Sequence, residues 1–128
     1  MNEQVIWEKK KVCIIDDDPH LREIYFTKFT QEGFQVVVAV DGEEGLKSIR
    51  DTRPDIVLLD LQMPVKNGIE VLQELDTDEV LSKIPVIVLT NIDNEEAFKE
   101  VGKFETRFYL IKSLTTPQQA VDYVREVL

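Results

Sequence analysis

Arg53-Pro54-Asp55-Ile56-Val57-Leu58-Leu59-Asp60 is the stretch whose reading decides the architecture. Proline disfavours helical geometry in the residue before it, so a preceding helix ends near Arg53. Four apolar residues then run without polar alternation and stop at a carboxylate. A strand of that kind is covered on both faces, as in a parallel sheet flanked by helices. Runs of the same character recur at Lys11 to Asp16, Phe34 to Val40, Pro85 to Thr90 and Arg107 to Lys112.

The segments between these runs read as helices. Pro19 to Glu32 places Leu21, Ile24, Tyr25 and Phe29 on one stripe, with Asp18 as N-cap, Pro19 at the first helical position and Gly33 as the stop. Gly42 to Asp51 turns Leu46 and Ile49 inward, Gly68 to Leu75 offers Leu72 and Leu75, and Asp93 to Val101 offers Ala97, Phe98 and Val101. The last helix is capped by Thr116, begins at Pro117 and aligns Ala120, Val121, Val124 and Leu128. Strand and helix thus alternate five times, which predicts an α/β fold, a doubly wound (βα)5 parallel sheet of five strands. Residues 11–128 are expected to form one domain with no output domain among them. Residues 1–10, which include Trp7, read as an N-terminal tail.

Bulk composition narrows the function classes. The 128 residues are 43% hydrophobic, enough for a single core, and 25 acids against 15 bases give a formal charge of -10. Such a charge disfavours nucleic acid bound directly through a broad basic surface. The single cysteine, Cys13, sits in the apolar run Val12-Cys13-Ile14-Ile15 and reads as a buried, inert thiol in a reducing compartment. No apolar stretch reaches the length of a membrane span, and Met1 to Lys11 mixes acids and lysines unlike a signal peptide. A cytoplasmic location without membrane contact is expected.

The chemistry gathers at the strand ends: Asp16-Asp17 after the first, Asp60 after the third, Thr90 closing the fourth and Lys112 closing the fifth. In a parallel sheet these ends share one edge, where open α/β folds bind ligands. Three carboxylates brought together repel one another unless a hard cation neutralises them, so Mg²⁺ or Mn²⁺ is the expected cofactor. Magnesium leaves coordination positions for phosphate oxygens. A carboxylate attacking a phosphoryl donor would be assisted by the ion, the lysine and the hydroxyl, and phosphotransfer to an aspartate is the expected chemistry. Asp18 belongs to helix capping, and His20, the only histidine, to the surface. With no second histidine the phosphoryl donor must come from outside.

Val12-Cys13-Ile14-Ile15-Asp16-Asp17-Asp18-Pro19, and Pro54 through Leu61-Gln62-Met63-Pro64 to Gly68, resemble the receiver domain of two-component response regulators. Val86 to Thr90 and Tyr109 to Lys112 are similar to that family's fourth and fifth strands, and the resemblance spans residues 11–128. It implies a flavodoxin-like sheet of strand order 2-1-3-4-5, Asp60 as phosphoacceptor, and Asp17, Asp60 and the Gln62 backbone carbonyl as direct Mg²⁺ ligands. Asp16 would act through a metal-bound water. Thr90 and Lys112 would each hold a phosphoryl oxygen, and Tyr109 would move between outward and inward rotamers. The implied partners are a sensor histidine kinase or histidine phosphotransfer protein, and a downstream protein meeting the face of the fourth helix, fifth strand and fifth helix. Such a chain is a switch that assists its own phosphorylation and dephosphorylation rather than an enzyme.

Three departures from that pattern stand out. Ser113 follows Lys112 where the family usually has proline, often after a cis bond that would cost several kcal/mol without it. Asn91 follows Thr90 where a small residue is common, and its longer side chain is expected to slow exchange with small donors and water. Phe104-Glu105-Thr106-Arg107-Phe108 replaces the usual small-residue turn, which points to a distinctive output face. A phosphatase of the haloacid dehalogenase type is disfavoured because Gln62 stands where its second acid belongs. A flavin or nucleotide binder is disfavoured because Asp16-Asp17-Asp18 would repel phosphate. The alternative is a receiver-like module that binds a partner without phosphorylation; a missing acid or lysine would signal it, and all five residues are present.

Overall fold

The computed structural model describes residues 10–128, so the expected tail with Trp7 lies outside the described residues. Strands β1 (Lys11–Ile15), β2 (Gln35–Ala39), β3 (Ile56–Leu59), β4 (Val86–Thr90) and β5 (Phe108–Ile111) alternate with helices α1 (Pro19–Gln31), α2 (Gly42–Thr52), α3 (Gly68–Asp76), α4 (Glu95–Val101) and α5 (Pro117–Val127). All pairings are parallel, in the order β2-β1-β3-β4-β5. The expected topology is therefore the observed one. Because the chain leaves β1 towards β2 and returns on the other side as β3, the switch point lies between the carboxyl ends of β1 and β3.

Side-chain alternation along these strands builds two cores. Cys13, Ile15, Val57, Leu59, Val86 and Val88 face Leu46, Ile49, Val71, Leu72 and Leu75 of α2 and α3. Val12, Ile14, Ile56, Leu58, Ile87 and Leu89 face Tyr25 and Phe29 of α1 and Ala120, Val121 and Val124 of α5. Burial on both sides is what the unbroken apolar runs required. No helix among the described residues is long and apolar enough to cross a membrane.

The helix starts follow local chemistry. Asp18 accepts from the backbone N–H groups of His20 and Leu21, and Thr116 and Gln119 form a reciprocal capping box at α5. Four expectations are corrected. α4 begins at Glu95, not Asp93, because Asn94 supplies the cap by accepting from the Ala97 N–H at 2.8 Å. Phe98 was expected inward but is 61% exposed, leaving Val101 as the buried residue of this short helix. Ile24 is 36% exposed, because the Tyr25–Phe29 pair sets the buried face of α1 and the preceding residue lies about 100° away. A 3-10 turn, Lys112–Leu114, also follows β5, so Lys112 opens a turn instead of closing a strand.

Asp16 and Asp60 lie one residue beyond their strands, yet both remain tied to the sheet. The Asp16 N–H donates to the Ala39 carbonyl at 3.1 Å and the Asp60 N–H to the Ile15 carbonyl at 3.0 Å. The loop after Asp60 then turns back through Val65, whose φ of 67° is a left-handed geometry rare for a β-branched residue. It closes with the Gly68 N–H donating to the Leu61 carbonyl at 3.0 Å. A Cβ on Gly68 would lie 2.3 Å from the Asp60 carbonyl oxygen and 2.7 Å from the Leu61 Cα, both rigid backbone.

Two stability outcomes follow from this packing. Gly68→Ala should lower stability by about 1–3 kcal/mol, read as a lower urea midpoint, because sheet-held backbone cannot yield. Burial pushes the Cys13 thiol up to about 12, so the folded protein should not react with a thiol reagent at pH 8 and should react fully in denaturant.

Candidate functional site

The switch point brings carboxylate oxygens of Asp16, Asp17 and Asp60 within 4.8 Å of one another. Asp16 and Asp60 are 3% and 5% exposed, whereas Asp17 is open to solvent. The Lys112 ammonium lies between the two buried acids, with Nζ 2.7 Å from Asp16 Oδ2 and 2.9 Å from Asp60 Oδ2. Thr90, fully buried, lines the same cleft, and Gln62 and Asn91 stand at its rim. The residues expected at the strand ends therefore converge. Tyr109 does not join them; it lies behind the β4–α4 loop.

Each acid is held by local geometry. Asp16 Oδ1 accepts from the Asp18 N–H at 2.9 Å, and the Asp16 carbonyl accepts from Arg22 Nη1 at 2.8 Å. The α1 helix thus fixes the Asp16-Asp17 turn through both its cap and its second turn. Asp60 Oδ1 accepts from the Gln62 N–H at 3.3 Å, which places that backbone against the phosphoacceptor candidate. The Asp18 assignment to capping is borne out, and His20 is exposed.

The β4–α4 loop connects the cleft to the surface. Thr90 Oγ1 accepts from the Ile92 N–H at 3.3 Å, and the Ile92 carbonyl accepts from the Tyr109 hydroxyl at 2.7 Å. The Tyr109 ring lies 5.5 Å from that of Phe98. On the other flank, Asn91 Oδ1 accepts from the Ser113 N–H at 3.0 Å. Among the described residues every peptide bond is trans, the Lys112–Ser113 bond included.

Burial and charge pairing compete in this cluster. It raises the Asp16 carboxyl above its ordinary value, because one ammonium shared between two acids, together with the Asp18 N–H, does not offset the lost hydration. Burial alone would depress Lys112, but its bonds to Asp16 and Asp60 outweigh that and hold it charged. Three carboxylates against one ammonium leave roughly two negative charges around an opening of oxygen ligands. That donor set fits a hard divalent cation.

Sequence reasoning missed Arg22, Ile92 and the Asn91–Ser113 bond. Arg22 carried a faint signal, being one helical turn beyond the Asp18 cap and so on the side of the acidic turn. The contacts of Ile92 and Ser113 involve backbone groups, which no side-chain pattern reports.

Comparisons with known proteins bear on the family of the chain. The family model for the response regulator receiver domain matches residues 12–125. The DNA-binding response regulator MtrA of Mycolicibacterium smegmatis is 40% identical over 82 residues, covering 64% of this chain and 35% of that protein. A protein named as a probable transcriptional regulator, ycf27, of Porphyridium aerugineum is 33% identical over 124 residues, covering 94% of this chain and 49% of its own length. The chain thus spans between about a third and a half of these curated relatives. Among solved structures, the receiver domain of Francisella response regulator 1452 superposes with a TM-score of 0.84 at 30% identity, covering 93% of this chain and 96% of that one. The chemotaxis protein CheY4 of Vibrio cholerae gives 0.85 at 25% identity, covering 93% and 98%. Fold, switch-point acids, bridging lysine and family match converge on one conclusion: the chain belongs to the response regulator receiver domain family of two-component signalling.

Proposed function

We propose that this receiver is a phosphorylation-controlled switch in which Asp60 accepts a phosphoryl group. The observation that carries the reading is the Lys112 ammonium seated between Asp16 and Asp60 beside the exposed Asp17. An Asp60 carboxylate oxygen attacks the phosphorus of a phosphohistidine on a sensor kinase or histidine phosphotransfer protein. The new P–O bond forms as the P–N bond breaks, and the electron pair returns to the imidazole, which takes up a proton. Lys112 already touches Asp60 and accompanies the oxygen as negative charge shifts onto the phosphoryl group. Hydrolysis of the acyl phosphate resets the chain, so it acts as a switch and not as an enzyme on a separate substrate.

Asp17, Asp60 and the Gln62 backbone carbonyl would hold Mg²⁺ directly, with Asp16 acting through a bound water. When bound, the cation would neutralise the acids and stabilise charge on the transferred oxygens. Thr90 supports a readout. Turning its hydroxyl towards a phosphoryl oxygen frees the Ile92 N–H, and the Ile92 carbonyl is the acceptor that anchors Tyr109. Tyr109 then moves relative to Phe98, altering the face built by α4, β5 and α5, which a downstream protein reads. The DNA binding named for the mycobacterial relative belongs to that longer protein. The formal charge of -10 supports a receiver that does not itself bind nucleic acid, and the chain is assigned to the cytoplasm.

Incubation with acetyl phosphate and Mg²⁺ should add one phosphoryl group by intact-protein mass, and Asp60→Asn should abolish the addition. An undiminished adduct on the variant would place the chemistry elsewhere. Mg²⁺ at ~100-fold excess over its Kd should raise Tm by on the order of 10 °C, and Asp17→Asn should remove most of that shift. An equal shift in the variant would move the cation away from this cleft.

A further inference from the structure

The 3-10 turn that opens with Lys112 has no cap of its own. Its N-cap position is Ile111, which offers no side-chain acceptor, and the first N–H groups of such a turn have no partner within it. The acceptor comes from a different strand: Asn91 Oδ1 receives the Ser113 N–H at 3.0 Å. Asn91 is the first residue after β4, and the β4–β5 ladder ends at the pair Thr90↔Ile111. The side chain therefore continues the pairing one step past the end of the ladder, across the peptide that joins Lys112 to Ser113. At its other end the turn is held by the Thr115 hydroxyl, which donates to the Ile111 carbonyl at 2.8 Å.

We propose that Asn91 is a positioning residue for phosphotransfer, holding the Ser113 N–H so that Lys112 keeps its place between Asp16 and Asp60. The 112–113 peptide carries the lysine, its carbonyl accepting from the Thr115 N–H at 3.3 Å and its N–H held by Asn91, and a movement of that peptide is passed to Nζ. That atom must stay within hydrogen-bond distance of two acids launched from two other strands. Reaction rates respond to ångström-scale displacement of such groups. Among the described residues Asn91 hydrogen-bonds to neither acid; it acts through the turn. The device also requires an N–H at residue 113, so Asn91 and Ser113 are two halves of one clip.

The proposal rests on phosphotransfer at Asp60, and its test is a double-mutant cycle on phosphorylation by acetyl phosphate at saturating Mg²⁺. Asn91→Ala, at an exposed site, should slow the maximal rate about five-fold while leaving the Mg²⁺ half-saturation point unchanged. Ser113→Pro removes the donated N–H, so adding Asn91→Ala to it should change the rate by less than about two-fold. If Asn91→Ala reacts as fast as wild type or faster, the side chain is an access filter and the proposal fails. Equal losses in both backgrounds also overturn it, since the effect then does not pass through Ser113. If Ser113→Pro fails to fold, hydrogen exchange at the Ser113 amide takes its place; protection unchanged by Asn91→Ala overturns the clip. A wild-type chain that forms no adduct overturns the Asp60 reading and this proposal with it, whereas an adduct insensitive to Asn91 overturns this proposal alone.

Discussion

The ammonium of Lys112, 2.7 Å from one buried carboxylate and 2.9 Å from another, is the contact on which the site depends. Strand order makes it demanding. β5 is not a neighbour of β3 or β1: β4 lies between, so the lysine and the Asp60 side chain together must bridge roughly 10 Å, two strand spacings. Only a long, unbranched side chain can supply most of that reach, and it passes the end of β4, where the residue is a short threonine. Thr90 is thus required twice, as a hydroxyl facing the cleft and as a side chain small enough to let Lys112 through.

Holding these charges costs stability that the sheet must offset. A buried ion pair returns little beyond its own desolvation, and here a single ammonium serves two acids. The raised Asp16 carboxyl records the imbalance. The compensation lies beneath: Ile14, Ile15, Leu58 and Leu59, all essentially buried, immediately precede the polar cluster. The backbone bonds from Asp16 to Ala39 and from Asp60 to Ile15 carry that rigidity into the site. A divalent cation would relieve the repulsion that this apolar scaffold sustains without it.

Much of this arrangement was legible in the sequence because it is written in local terms. Apolar runs without alternation specified doubly covered strands, Asp18 and Thr116 marked helix starts, and acids at run ends followed from reading those runs as parallel. Period and burial diverged where tertiary neighbours decide. Ile24 and Phe98 fit the helical stripe, but nothing in the chain reports that α1 presents Tyr25 and Phe29 to the sheet, or that α4 is anchored through Val101. The turn at Lys112 and the Asn91–Ser113 bond were not legible either. The bond joins a side chain to a backbone N–H 22 residues away, and backbone donors are alike in every sequence. Asn91 and Ser113 were visible as separate departures from a family pattern; only the fold shows that they meet.

The same loop explains why α4 is the part of the fold suited to carry a signal. Of its seven residues Val101 alone is buried, and Phe98 stands 61% exposed against Tyr109. An element with so little apolar anchoring shifts at low cost, whereas β3 and β4 cannot. Its attachment to the cleft runs from Thr90 to Ile92 to Tyr109 through two hydrogen bonds, one on each side of a single residue. Under the proposed chemistry, competition for the Thr90 hydroxyl is competition for the Ile92 position, and so for the Tyr109 anchor. Binding free energies couple in both directions. On that proposal a partner that prefers one placement of Tyr109 and Phe98 would favour the matching state of Thr90, and its binding would bias the Asp60 site as strongly as the site biases the face.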